Sequence, residues 1–442
     1  MDILIKALQL IMSLSILVIL HELGHYIPAK LFKTKVEKFY LFFDPWFSLV
    51  KKKIGDTEYG IGWLPLGGYV KISGMIDESM DKEQMSKPPE KWEFRAKPAW
   101  QRLIIMLGGV TVNVLLAIFL YSMVLLTWGE DYLLNKNAVN GVYCTDFSKE
   151  IGFENGDKIK SIDGEEIDRF FDIQKNMIFR DEAYVVLVER DEKEVSIPIE
   201  SNFIKKWKNS SKERLFYARR IVKIKEFSPN SKAKQAGLLE GDVLVSVDGV
   251  KTKYFDELVS ELQNHTSKKA TIGVLRDGKS ISFPVEVSEK GKIGFTNTKI
   301  ENLLEFSVDS FNLISCFPAG YSRAMYELEE YISTFSLIFN SDNDLVGEVG
   351  GFGAIGSMFP SEWSWERFWL LTAFLSLMLA FLNILPIPAL DGGHVAFLLY
   401  EIVVGKPAPE KFMEYAQVVG MLLLLTLVVL ANGNDILKLF EK

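Results

Sequence analysis

The sequence predicts a polytopic α-helical membrane protein with four transmembrane helices and two small α/β domains between the second and third of them. Four apolar stretches approach or exceed the length of about 20 residues that a helix needs to cross a bilayer core. The 442-residue chain is 48% hydrophobic and yet 24% charged, a mixture typical of membrane spans joined to soluble modules. A sequence repeat, whose copies begin at Gly152 and Gly237, lies between the second and third stretches.

The four apolar stretches are residues 3–29, 103–128, 368–385 and 415–430. Lysine and arginine are concentrated between the first two spans and again between the last two, whereas acidic residues follow the second span. Cytoplasmic loops are enriched in these basic residues. We therefore expect residues 33–99 and 402–412 in the cytoplasm, and both termini and residues 130–360 outside.

We expect eight segments in chain order. They are residues 1–32 (first transmembrane helix), 33–99 (cytoplasmic loop with a membrane-associated β-hairpin), 100–128 (second helix), 132–203 and 215–298 (the two α/β domains), 299–362 (amphipathic connector), 363–391 (third helix) and 408–432 (fourth helix).

A histidine pair with an adjoining glutamate ends the first apolar stretch, in His21-Glu22-Leu23-Gly24-His25. Positions four residues apart share one face of a helix, so the two imidazoles can bind one Zn²⁺. Glu22 can act on a water at the metal instead of binding the metal. Ionisable groups at membrane depth are costly and usually functional. The alternative is a signal peptide, but Asp2 and Lys6 make a poor basic leader.

A catalytic zinc takes three protein ligands and keeps one open position. The candidate for the third ligand lies after the third apolar stretch, in the run N-I-L-P-I-P-A-L-D-G-G-H from Asn383 to His394. Its prolines stop regular helix, and Gly392 and Gly393 allow unusual backbone angles. Asp391 in this break can reach a metal, although an interfacial turn aspartate is the alternative.

Residues 152–164 (GFENGDKIKSIDG) recur as residues 237–249 (GLLEGDVLVSVDG), and each copy alternates apolar and polar residues before an Asp-Gly turn. A helical patch follows in each copy, at residues 170–179 and 255–263. The repeats resemble PDZ domains in their bacterial, circularly permuted form. PDZ domains bind peptide ends by strand addition, and the alternative is a pair of spacers.

The H-E-x-x-H and N-x-x-P-x-P-x-L-D-G motifs together resemble the site-2 protease family of intramembrane zinc metalloproteases, and the arrangement of spans and PDZ-like domains resembles its regulator-of-sigma-E proteases. The resemblance covers essentially the whole chain. It implies that His21, His25 and Asp391 bind Zn²⁺. It also implies that Glu22 is the catalytic base and that Asn383 contacts the substrate. For the PDZ-like repeats, the resemblance of the whole chain to this family implies instead a size filter that excludes substrates with large outer domains.

The same resemblance implies a function: zinc-dependent intramembrane endopeptidase in regulated intramembrane proteolysis. Its substrates would be transmembrane segments of single-span proteins already shortened by another protease, such as an anti-sigma factor, and remnant signal peptides. The protein would be a multi-pass monomer of the bacterial inner membrane, in contact with lipid, with its PDZ-like domains in the periplasm. The net charge of −8 gives no support for nucleic-acid binding.

Residues 57–73 contain β-type residues and glycines and predict a β-hairpin. Within it, Tyr69, Val70 and Lys71 would supply an edge strand that holds the unwound substrate extended. The family places such a hairpin in the membrane; an ordinary cytoplasmic loop is the alternative. Residues 42–45 read F-F-D-P where many members of the family read G-F-G-P, so the structure of that loop stays open.

Residues 303–338 mix apolar and polar residues at helical spacing, which predicts amphipathic helices at the outer membrane face. Their apolar positions are Leu304, Phe306, Phe311, Ile314 and Phe317. The glycine-rich residues 349–356 predict either a hinge or a close-packed turn. Cys144 and Cys316 form no C-x-x-C motif, which excludes a disulfide framework and a cysteine zinc site, and two free thiols are favoured over one bridge.

Two other functions fit parts of the sequence. A metal transporter would use His21, His25 and Asp391 as a transit site, but it would need more polar residues along the second and fourth spans. A membrane-anchored PDZ scaffold with an inactive metal site would not need Glu22. Both hypotheses explain less of the sequence than a protease does.

Overall fold

The structure is a computed structural model that describes residues 2–65, 67–75, 88–178, 180, 182–209, 214–339 and 350–440. Two units are distinguished by their internal contacts. The helical unit comprises Met1–Gly129 and Ser310–Lys442, and the sheet unit comprises Glu130–Asp309.

The described helices, in chain order, are α1 (Asp2–Leu31), α2 (Ala99–Trp128), α3 (Asp146–Glu150), α4 (Asp172–Ile178), α5 (Phe203–Asn209), α6 (Lys232–Gln235), α7 (Phe255–Gln263), α8 (Cys316–Phe339), α9 (Phe352–Met358), α10 (Trp365–Ile384), α11 (Asp391–Val404) and α12 (Glu410–Phe440).

The described strands are β1 (Val36–Leu41), β2 (Phe43–Ile54), β3 (Thr57–Leu64), β4 (Tyr69–Ile72), β5 (Glu130–Tyr132), β6 (Val142–Cys144), β7 (Lys158–Ile162), β8 (Glu165–Glu166), β9 (Tyr184–Arg190), β10 (Lys193–Ile199), β11 (Phe216–Ala218), β12 (Val222–Phe227), β13 (Val243–Val247), β14 (Val250–Lys251), β15 (Lys269–Arg276), β16 (Lys279–Glu286), β17 (Phe295–Asn297) and β18 (Ser307–Asp309).

Among the described residues, four helices are long and apolar enough to cross a membrane: Ile3–Leu31, Ala99–Trp128, Trp365–Ile384 and Lys411–Leu437. They coincide with the four apolar stretches of the sequence, so the four-span prediction is confirmed at this level. The last helix continues well beyond the predicted end at residue 430, because polar residues do not interrupt backbone hydrogen bonding. Helix α11 was not predicted.

The break between α10 and α11 spans residues 385–390, as its two prolines predict. The prediction that Gly392 and Gly393 adopt unusual backbone angles is wrong, because both lie in the first turn of α11. The residue with a positive φ in this break, of 78°, is Ala389. A side chain at either glycine would collide with backbone of the break. These glycines therefore provide close approach instead of an unusual backbone conformation.

Helix α2 packs against α1, α8, α10 and α11. Where α1 and α2 cross, Gly24 and Gly108 bring the two backbones into direct contact, and a Cβ on either would collide with the other helix. Small residues permit such approach in apolar helix pairs. The crossing fixes the height of the histidine pair relative to α2.

The four strands of the helical unit form one sheet in the order β2-β3-β1-β4. The hairpin predicted for residues 57–73 is wrong: β3 and β4 are both strands, but β1 lies between them. Strand β1 pairs in parallel with β3 and antiparallel with β4, and the hairpin partner of β3 is β2. Strand propensity predicts which residues are extended, whereas pairing depends on side-chain packing that local sequence does not specify. Strand β4 is left at an edge.

Residues 303–338 differ from the predicted amphipathic helices. The described long helix in this range is α8, which begins at Cys316. Four of the predicted apolar positions precede it, namely Leu304, Phe306, Phe311 and Ile314. The helix packs on α2, where its Ala324 joins a buried cluster with residues of α2 such as Leu120. Phe317, the one of the five predicted apolar positions that lies on α8, is 47% exposed, so the placement of this helix at the outer membrane face stays a prediction.

The glycine-rich residues that the structure describes, 350–356, form a close-packed turn and the start of α9. From α12, Asp435 accepts hydrogen bonds from the main-chain N–H groups of Gly351 and Ala354, each at 3.0 Å. Val349 lies outside the described residues. The close-packed alternative agrees with these contacts. Cys144 and Cys316 are both free and buried, as expected.

The sheet unit contains two modules of similar topology. In the first, β10-β9-β7-β8 form one sheet and β11-β6 a second; in the second, the order is β16-β15-β13-β12-β17. Strand β11 pairs antiparallel with β6. Residues 216–218 therefore belong with the first module, although the sequence-based boundaries placed them in the second domain. Pairing of a late strand with an early one is not visible in local sequence.

The repeat is reproduced in backbone conformation. Gly156 and Gly241 have φ of 101° and 91°, and Asp163 and Asp248 have φ of 50° and 46°. Glycine adopts such angles without strain, and aspartate tolerates them because its side chain bonds locally. The predicted helical patches are α4 and α7, with Phe179 outside the described residues.

Candidate metal centre and catalytic cavity

Three side chains from two distant parts of the chain converge in the helical unit. His21 and His25 are on α1, and Asp391 begins α11. Among the described residues they form a cluster whose donor atoms all lie within 4.8 Å of one another. The histidines are 8% and 5% exposed, so the cluster is shielded from solvent.

The separations between the donor atoms fit a small cation. Nε2 of His21 lies 3.2 Å from Nε2 of His25, and Asp391 Oδ2 lies 3.3 and 3.2 Å from these two nitrogens. Tetrahedral Zn²⁺ with bonds of about 2.0–2.1 Å places its ligand atoms about 3.3–3.4 Å apart. Asp391 Oδ2 is buried and accepts no hydrogen bond. Two nitrogens and one carboxylate oxygen with this spacing match a zinc ion that keeps a fourth position open.

The far side of each imidazole ring has its own partner on α2. His25 Nδ1 lies 2.8 Å from the carbonyl oxygen of Ile105, and His21 Nδ1 lies 3.0 Å from the side-chain amide of Asn113. Gly109, between them, has no side chain because a Cβ would collide with both rings. Helix α2 therefore positions the imidazoles without supplying a ligand of its own.

A cavity of about 460 Å³ opens beside the cluster. Seven of the eight predicted site residues line it: His21, Glu22, His25, Tyr69, Val70, Lys71 and Asp391. Glu22 accepts a hydrogen bond from the main-chain N–H of Val70. The free edge of β4 therefore faces the glutamate and the metal cluster across one cavity.

Strand β4 is held in place by aromatic and polar contacts on its inner side. The ring of Tyr69 stacks on Tyr40 with centroids 5.3 Å apart, and its hydroxyl donates to Asp44 Oδ1 at 2.8 Å. Burial, together with the Asp44 carboxylate, raises the pKa of Tyr69 above its ordinary value. Phe42 directly precedes β2, and Asp44 within β2 supplies the acceptor for Tyr69. Lys71 pairs with Glu37 at 3.6 Å.

Asn383 does not line this cavity, but it is close to the cluster. Its Nδ2 lies 3.4 Å from His21 Nε2. It is the last predicted site residue, and the structure brings it together with the other seven.

Sequence reasoning missed the contribution of α2. The second apolar stretch was judged nearly bare of polar groups, although Asn113 is fully buried next to His21. A buried asparagine in a spanning helix and the Gly108-Gly109 pair were the available signals. The carbonyl of Ile105 left no signal, because every residue has one.

This arrangement, among helices that can cross a membrane, defines the class of the protein: it is a multi-pass membrane protein and a metalloendopeptidase of the site-2 protease type. The chain belongs to peptidase family M50, whose model matches residues 9–427.

Relatives from three bacteria align with nearly the whole chain. The regulator of sigma-E protease RseP of Escherichia coli K12 is 27% identical, over 97% of this chain and 98% of its own. The regulator of sigma E protease of Salmonella typhimurium LT2 is 26% identical over the same shares. A protein named "Putative zinc metalloprotease" in Vibrio cholerae is 25% identical over 99% of this chain and 100% of its own.

Proposed function

We propose that the protein is a zinc-dependent intramembrane endopeptidase that cleaves the transmembrane segments of single-span membrane proteins. The observation that carries the proposal is the convergence of His21, His25 and Asp391 at zinc-ligand spacing in a cavity that also holds Glu22. The relatives named as zinc metalloproteases support the choice of metal. Zn²⁺ held there would polarise a substrate carbonyl and lower the pKa of a water to near 7.

Glu22 is the proposed general base. It adjoins the ligand His21 in sequence, lines the cavity and is absent from the donor cluster, so its carboxylate is available for proton transfer. It takes a proton from the attacking water and later gives it to the amine of the leaving fragment. Its hydrogen bond from the Val70 N–H fixes the carboxylate between the strand edge and the ligands.

Strand β4 is the proposed substrate clamp. A helical substrate shields its carbonyls in internal hydrogen bonds, so it must be extended before cleavage. Tyr69, Val70 and Lys71 line the cavity from β4, which stands at the end of the order that the described strands form, and an extended peptide can add there through main-chain hydrogen bonds. Asn383, beside His21, is proposed to contact the substrate at the other side of the cluster.

We also propose the wider context. The E. coli relative is named a regulator of sigma-E protease, which supports a role in sigma-factor regulation. The substrate class that we propose is an anti-sigma factor already shortened by another protease, with remnant signal peptides as a second class. The distribution of lysine and arginine supports an inner-membrane protein with the sheet unit in the periplasm. We propose that the two modules are PDZ-like, because β17 lies at a sheet edge where a peptide can add.

The test is cleavage of a purified single-span substrate in detergent, with bound zinc measured in the same samples. Wild type, Glu22→Gln and chelator-treated protein are compared, and Glu329→Gln on an exposed site of α8 is the matched control. We expect Glu22→Gln to keep zinc and to lose at least about 10³-fold in cleavage rate, since the ligands remain but the base does not.

Chelator-treated protein should also be inactive, and Glu329→Gln should match the wild type. Cleavage by Glu22→Gln at the wild-type rate would refute the role of Glu22. Zinc binding by all variants, without cleavage of any of several substrates by the wild type, would favour a transporter or a scaffold over a protease.

A further inference from the structure

A fully buried asparagine on α2 contacts the far side of one histidine of the metal cluster. The side-chain amide nitrogen of Asn113 lies 3.0 Å from His21 Nδ1, while its Oδ1 is buried without a hydrogen-bond partner. A buried carbonyl oxygen that lacks a donor destabilises the folded protein. The placement of the Asn113 amide beside His21, with its own oxygen left without a partner, therefore needs a physical explanation.

The required protonation state of His21 supplies that reason. Its Nε2 is the atom that faces His25 and Asp391, so a metal there needs the Nε2 lone pair and the proton must lie on Nδ1. His25 has this arrangement, because the carbonyl of Ile105 can only accept and His25 Nδ1 must donate to it. The neighbour of His21 Nδ1 should therefore be an acceptor as well.

Rotation of the Asn113 amide by about 180° exchanges its oxygen and nitrogen without changing its shape. Oδ1 then accepts the hydrogen from His21 Nδ1, and the amide nitrogen takes the place of the oxygen that had no partner. In the opposite orientation the amide donates to Nδ1, the imidazole proton moves to Nε2, and the metal-facing nitrogen is blocked.

We propose that Asn113 is a positioning residue that holds His21 in the Nδ1–H tautomer and so presents Nε2 to the metal. The inference rests on the proposed metal site and deepens it. The position of Asn113 is fixed independently, since its main-chain oxygen accepts a hydrogen bond from Ser376 of α10 at 2.7 Å. This contact survives replacement of the side chain.

The experiment compares Asn113→Leu, which has a similar volume and no polar atom, with Asn113→Asp, which can accept from Nδ1–H but cannot donate when ionised. Asn113→Val is a second apolar variant in case leucine disturbs packing. Thr111→Val, at an exposed site two residues earlier, is the control for loss of a polar group from α2. Full-length protein in detergent is used after size-exclusion chromatography.

The readouts are zinc affinity, by competition with a chelator, and the visible spectrum of the Co²⁺-substituted protein. We expect Asn113→Leu and Asn113→Val to weaken zinc binding about 10–100-fold and to alter the Co²⁺ spectrum. Asn113→Asp should restore affinity to within a few-fold of the wild type, and Thr111→Val should match the wild type.

Wild-type affinity in both apolar variants would overturn the proposal. Loss of affinity in Asn113→Asp as large as in Asn113→Leu would also overturn it, because an acceptor would then be no better than an apolar group. A wild-type protein that binds neither metal would instead refute the proposed metal site, which distinguishes that failure from failure of the Asn113 role alone.

Discussion

Two aspartates, one in each unit, have opposite surroundings. In the sheet unit, Asp242 accepts two hydrogen bonds from Arg276, at 2.7 Å each, and one from the main-chain N–H of Leu239 at 2.9 Å. In the helical unit, Asp391 Oδ2 is buried and has no arginine or main-chain N–H as a partner among the described residues; it faces two imidazole nitrogens at 3.3 and 3.2 Å. The first charge is neutralised within the chain; the second is left for a cation.

The aspartate–arginine pair of the second module recurs in the first. In the first module, Asp157 accepts hydrogen bonds from Arg190 at 2.8 and 2.7 Å. Arg190, the equivalent of Arg276, also contacts Glu154. Buried charges are stable only when paired and hydrogen-bonded. A satisfied aspartate that recurs in both modules therefore indicates a structural role, whereas an aspartate without a donor indicates a ligand site.

The largest expected effect comes from Asp391→Asn. Without the charge the cluster should lose zinc and at least about 10³-fold of the cleavage rate, roughly 4 kcal/mol. The zinc-free protein should unfold close to the temperature of the zinc-free wild type, because the described residues give Asp391 Oδ2 no arginine or main-chain donor that the change would leave unpaired. Bound zinc, cleavage and thermal unfolding in the presence of chelator check this.

A zinc-free Asp391→Asn protein that is markedly less stable than the zinc-free wild type would break the comparison. It would mean that Asp391 stabilises the fold as Asp242 does.

Asp242→Asn should have the opposite effect. It leaves Arg276 without its buried partner and should destabilise the second module by about 3 kcal/mol, while bound zinc is unchanged. Asp157→Asn should cost less, because Arg190 keeps Glu154. Amide hydrogen exchange of β13 and β7, measured by mass spectrometry on the full chain, reports both modules; equal exchange in the two variants would contradict the ranking.

The smallest expected effect is a dependence of stability on pH. Hydrogen bonds from Arg276 and from Leu239 hold the pKa of Asp242 below its ordinary value of 3.8. The stabilisation is present above the ordinary pKa and is lost as the pH falls through the lower pKa of the folded protein. The difference in unfolding temperature between wild type and Asp242→Asn should therefore shrink from pH 6 to pH 3; a constant difference would contradict this assignment.

Prediction from sequence was strongest where one residue type has one local consequence. Apolar runs predicted the four long helices because a bilayer core sets a minimum length. The spacing of His21 and His25 placed both rings on one helix face. The Asp-Gly turns of the repeat were visible because few residues accept their backbone angles.

Prediction was weakest for relations between distant segments. Strands β3 and β4 were recognised, but their separation by β1 was not, and the packing of α8 on α2 was not predicted either. The contact of Asn113 with His21 also escaped notice. Each depends on which elements pack together, and one segment of sequence does not specify its partner.

The sequence alone determined the number of long apolar helices, the repeat and the candidate ligands, because hydropathy, turn chemistry and helical spacing are local properties. Only the tertiary structure decided the distances among the ligand atoms, the free edge of β4 beside Glu22 and the partners of the imidazole nitrogens. These arise where glycines let α1 and α2 touch and where α11 returns Asp391 to α1. Such geometry is set by packing of segments that are far apart in the chain, which no local pattern encodes.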